Sequence, residues 1–101
     1  MVADNRQSKD LVRPPIAGTN ADAFEILRVW TAPGDTQQVT LLPAWKDPGA
    51  WGLVLVDIAR HAARAYGRQG VDEGQALRRI RELLDAEWAA STDDGIDITD
   101  G

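Results

Sequence analysis

The sequence predicts an α+β domain in which a two-stranded antiparallel hairpin packs on an antiparallel pair of helices, in the order ββαα, between disordered termini. Three observations carry this expectation. Two strand-favouring runs flank a Pro-Gly turn, two later segments repeat their apolar residues at helical spacing, and each helical segment opens on an aspartate.

Residues 23–32 (AFEILRVWTA) are rich in apolar and strand-favouring types, and residues 37–43 (QQVTLLP) alternate again. Between them lies Pro33-Gly34-Asp35-Thr36. Proline presets φ and glycine accepts positive φ, so a hairpin with a loop of roughly four residues follows. Alternation sets Phe24, Ile26, Arg28 and Trp30 on one face of the first strand, and Glu25, Leu27, Val29 and Thr31 on the other. Both faces carry large apolar groups, so something is expected to cover each side.

Asp47-Pro48 is a helix start, because aspartate caps free N–H groups and proline at the first helical position loses no bond. The first helix is expected from Pro48 to Tyr66 or Arg68, stopped by Gly67 or Gly70. Trp51, Leu55, Ile58, Ala59, Ala62, Ala63, Ala65 and Tyr66 form its apolar face, and Asp57, Arg60, His61, Arg64 and Arg68 gather opposite. Leu53, Val54 and Val56 make the first half apolar nearly all round. Asp72 begins the second helix, with Gln75 completing a capping-box-like pair. Leu77, Ile80, Leu84 and Trp88 form its apolar stripe, and Arg78–Glu82 and Arg81–Asp85 are i,i+4 pairs on its wet side.

The boundaries are therefore a disordered arm over residues 1–20, one ββαα domain over 21–90, and an acidic disordered tail over 91–101. A folded part of that size is marginal unless it is densely packed or shared with a partner. The net charge is −5, and the tail alone, with Asp93, Asp94, Asp97 and Asp100 and no base, supplies −4 of it. Residues 21–90 hold eight bases and ten acids, a balance that gives no general affinity for nucleic acid or acidic membranes. There is no cysteine, which excludes disulfides and thiolate chemistry. No apolar run spans a bilayer, and residues 1–15 contain no signal-peptide core, so a cytoplasmic location is expected by default.

Chemistry is sparsely encoded. The only serines, Ser8 and Ser91, sit in or beside the expected floppy ends, which argues against a serine nucleophile. Asp57 and His61 are four apart and share a helical face. That spacing suits an acid orienting a general base, and equally a local pair on a wet face. Arg60, Arg64 and Arg68 form a basic stripe that suits a phosphate or an acidic peptide, or that pairs with Glu82 or Glu87 of the neighbouring helix. Asp93-Asp94-Gly95-Ile96-Asp97 lacks the acid spacing and closing glutamate of a calcium loop. Gly49-Ala50-Trp51-Gly52 lies in a helix start rather than in a basic inter-helix loop, so it does not read as an RNA-binding GxxG. Trp45 sits on a loop where, with Arg28 projecting from the same side as Trp30, it would line a small pocket.

The run Leu27-Arg28-Val29-Trp30, then Asp47-Pro48-Gly49-Ala50-Trp51-Gly52, Asp57-Ile58-Ala59-Arg60-His61 and Ala65-Tyr66 resembles a family of short proteobacterial proteins known as domain of unknown function 5076. Arg79-Ile80-Arg81, Asp85-Ala86-Glu87-Trp88 and Thr92-Asp93 extend the resemblance over about residues 21–93. It implies a bacterial, cytoplasmic protein of one compact domain with no assigned activity. It also directs attention to Arg28, Trp51, Asp57, Arg60, His61 and Trp88.

The functional expectation is a non-enzymatic interaction module without cofactor or metal. Its partner is a second copy of the chain or another protein, with no nucleic acid and no membrane. Self-association would run through the hairpin edges or through Leu53, Val54 and Val56. The alternative is a binder of a small anionic ligand, its site drawn from Arg28, Trp45, Asp57, Arg60, His61 and Arg64. No acid, base and nucleophile converge on rigid elements, so an enzyme is not expected.

Overall fold

A computed structural model describes residues 9–90 and 96–97. A short helical turn, α1 (Ile16–Thr19), precedes the hairpin strands β1 (Leu27–Trp30) and β2 (Gln38–Leu41). The long helices α2 (Ala50–Arg68) and α3 (Glu73–Ala89) follow, and then a two-residue strand, β3 (Ile96–Asp97). This is the expected ββαα layout, with two additions.

The first addition is α1, which lies within the segment read as a disordered arm. Its backbone closes through Thr19 and Asn20 N–H groups donating to the carbonyls of Pro15 and Ile16. Residues 1–8 of that arm lie outside the described residues. The second is β3, which falls in the acidic tail. It pairs parallel with β2, Gln38 opposite Ile96 and Val39 opposite Asp97, so β2 is the central strand of the order β1-β2-β3. The rest of the tail lies outside the described residues.

In the hairpin, Leu27 faces Leu41, Arg28 faces Thr40, Val29 faces Val39 and Trp30 faces Gln38. The face with Leu27, Val29, Val39 and Leu41 is therefore apolar, while Arg28 and Trp30 share the other, as alternation requires. The strands are shorter than the sequence pattern, and residues 31–37 make a longer loop than the four residues expected. Asp35 N–H donates to the Ala32 carbonyl at 3.0 Å, with Gly34 at φ 82°. Pro33-Gly34 thus forms the tight turn, and Thr31, Thr36 and Gln37 are left outside the ladder.

Helix α2 starts two residues later than its proline. The Asp47 carboxylate accepts from Gly49 N–H at 2.9 Å, and Ala50 N–H donates to the Asp47 carbonyl at 3.1 Å. Pro48-Gly49 is thereby held as a tight turn feeding the helix. At the other end Gly70 takes φ 97°. Val71 N–H donates to the Tyr66 carbonyl and Gly70 N–H to the Gly67 carbonyl, the paired bonds of a glycine-terminated helix. Asp72 then caps α3, accepting from Gln75 N–H at 2.9 Å.

The packing is unusual. Among the described residues only Ala63, at 0% exposure, and Ala76, at 9%, are buried, one on each of the two helices that meet. Ala59, Ala63 and Gly67 give α2 an edge of small residues toward α3, so α3 packs on the rim of the expected apolar face rather than on its centre. An apolar face holding Trp51, Leu55, Ile58 and Ala62 predicts their burial against α3. Leu55 and Ile58 are exposed instead, and Trp51 and Ala62 half-buried. On α3, Leu77 and Ile80 are half-buried, Leu84 is exposed, and Trp88 is 82% exposed. No strand Cα comes within 8 Å of a Cα in α2 or α3. The expected packing of Leu27, Val29, Val39 and Leu41 onto the helices is not realised as a tight layer, and Val29 remains exposed. Trp45 meets Trp51 edge-on, with ring centroids 5.6 Å apart at 70°, and so joins the loop after β2 to α2.

Two substitutions test this organisation by urea denaturation. Ala63→Leu forces a larger side chain into the one fully closed inter-helix contact and is expected to cost about 1–3 kcal/mol. Asp72→Ala removes the α3 cap and is expected to cost about 1 kcal/mol. An Ala63→Leu protein as stable as the parent would show that the helices are not held by this contact.

Candidate functional site

The six residues picked out by sequence sit on three segments, β1, the loop after β2 and helix α2. Arg28, on β1, is held by Glu25, with Nη2 donating to Oε1 at 2.9 Å and Nε to the same oxygen at 3.2 Å. Trp45 lies against Trp51 rather than beside Arg28, so the pocket expected between the loop and the hairpin is not assembled by these contacts. Asp57, Arg60, His61 and Arg64 are all exposed on α2, Arg60 and Arg64 at its edge toward α3.

Within that last group the expected acid–base pair takes a different form. The His61 Nδ1 lies 2.9 Å from the Asp57 backbone carbonyl, not from its carboxylate. A carbonyl only accepts, so Nδ1 carries the hydrogen and Nε2 is the free ring nitrogen. The Asp57 carboxylate makes no hydrogen bond to the ring. Arg60, Arg64 and Arg68 find no ion-pair partner among the described residues. Glu82 is engaged by Arg79 at 3.1 Å, in place of the expected Arg78. Arg81 and Asp85 pair as expected, at 3.0 Å. All three ion pairs are exposed, so each contributes a few tenths of a kcal/mol at most.

Two concavities exist beside these side chains. One lies at the α2–α3 turn, where Arg64 and Arg68 meet Asp72 and Glu73 around Gly70. Its charges oppose each other, and the Asp72 carboxylate already serves the α3 cap. It offers an anion no net field. The other is a groove of about 660 Å³ between α2 and α3. Leu55, Val56 and Ala59 form one wall, and Leu77, Ile80 and Leu84 the other. Arg60 from α2 and the Arg81–Asp85 pair from α3 stand on its rim, and Trp88 stands at its open end. The groove is apolar inside and charged at the edge.

Sequence reasoning named most of the groove wall as core and so missed it as a site. The signal was present in the small residues Gly52, Ala59, Ala63 and Gly67, which recur along one side of α2. They place the α3 contact there, to one side of Leu55 and Ile58. Among the described residues no group of three or more His, Asp or Glu side chains is arranged to hold a metal, and no helix is long and apolar enough to cross a membrane.

Comparison with known proteins gives a family and a fold. Residues 10–92 match the family described as a domain of unknown function (DUF5076), and the chain belongs to it. A solved structure from the photosynthetic bacterium Rhodopseudomonas palustrus CGA009, described provisionally as a pyruvate dehydrogenase, is similar at 39% identity with a TM-score of 0.67. The likeness covers 90% of this chain and 93% of that one. No curated protein matches the chain.

Proposed function

We propose that this member of the DUF5076 family is a non-enzymatic interaction module, and that its working surface is the apolar groove between α2 and α3. One observation carries the reading: no large side chain of the described residues is buried, although 44% of the chain is hydrophobic. Soluble monomers rarely present contiguous apolar surface beyond a few hundred Å². A groove walled by Leu55, Val56, Leu77, Ile80 and Leu84 is of the kind another polypeptide covers.

The reading draws nothing from the dehydrogenase description of the similar structure. Chemistry on a small 2-oxo acid needs an acid, a base and charge-stabilising donors aimed at one point. Here Arg28 is held by Glu25, Trp45 meets Trp51 and His61 turns its Nδ1–H to backbone, so these contacts aim no such set at one point. Arg60 and Arg64, which have no ion-pair partner among the described residues, favour a second reading, an anion site on the basic stripe of α2. Both side chains are exposed, each at the edge of an open concavity shared with α3, so an anion there stays hydrated and weakly held.

The experiment is a hydrodynamic mass in the extract of the cell that makes the protein. The wild-type chain is expected to elute well above 11.0 kDa, and Leu84→Asp at the mass of the free chain. Phosphate or pyruvate is expected to leave the melting temperature within about a degree. A chain that elutes as a monomer in extract and gains several degrees from phosphate, with the gain lost in Arg64→Gln, would replace this reading with the anion site.

A further inference from the structure

We draw no further inference here: the strongest candidate, the apolar groove between α2 and α3, is an unpartnered face, and nothing in the structure shows what covers it.

Discussion

The close approach of α2 and α3 at Ala63 and Ala76 is the constraint on which the rest of the described structure depends. Two methyl groups let the helices meet beside the turn capped by Gly70 and Asp72. Larger residues there would hold the helices apart. Away from the turn the facing positions change from alanine to Leu55, Val56, Ile80 and Leu84, and these line an open groove rather than a core. A helix pair is normally stabilised by burying its apolar stripe. This pair buries its alanines and leaves most of the larger side chains partly wet.

The ion pairs seen among the described residues do not make up the difference. The ion pairs of Glu25–Arg28, Arg79–Glu82 and Arg81–Asp85 are all local, three or four residues apart, and all exposed. They stabilise the element they sit on and tie no element to another. The contact that joins hairpin loop to helix is aromatic, Trp45 on Trp51, and such a pair contributes about 0.5–1.5 kcal/mol beyond its buried area. Hairpin and helix pair are thus two locally well-determined units with a thin joint. Each has a good turn, a good cap and an apolar side still open, which is the arrangement expected of a chain whose core is finished by another.

Much of this was legible in the sequence, and for identifiable reasons. Pro33-Gly34, Asp47-Pro48, Gly70 and Asp72 specify backbone geometry by themselves, so the hairpin, both long helices and their limits follow from local chemistry. The face of α3 followed from the spacing of Leu77, Ile80, Leu84 and Trp88. The face of α2 did not, because periodicity reports where apolar residues lie and not which of them meet a neighbour. The small residues of α2 decide that, and they carry little weight in a hydrophobic pattern. Arg79 taking Glu82 from Arg78 is a similar case: i,i+3 and i,i+4 partners are nearly equivalent on a helix surface. α1 and β3 are too short for any periodic signal. The six polar and aromatic site residues were chosen by type. Nothing in one sequence says that Arg28 is held by Glu25, that Trp45 meets Trp51 or that His61 turns to backbone.

The same packing bears on what kind of function the chain can perform. A catalytic group works when its rotamer is fixed by neighbours and its hydrogen bonds are made in advance of the substrate. Arg60, His61 and Arg64 have solvent around them and, apart from one bond from His61 to its own helix, nothing to fix them. Their side-chain entropy is retained in the single chain and would have to be lost on binding a small molecule, which returns few contacts for it. An apolar wall has the opposite property. Leu55, Val56, Ile80 and Leu84 are already placed by two helices, so a partner that covers them gains the hydrophobic term with little further ordering. On one exposed surface, then, the polar residues are the poorly prepared ones and the apolar residues the well prepared ones. That asymmetry is what supports the proposed docking reading over a catalytic one.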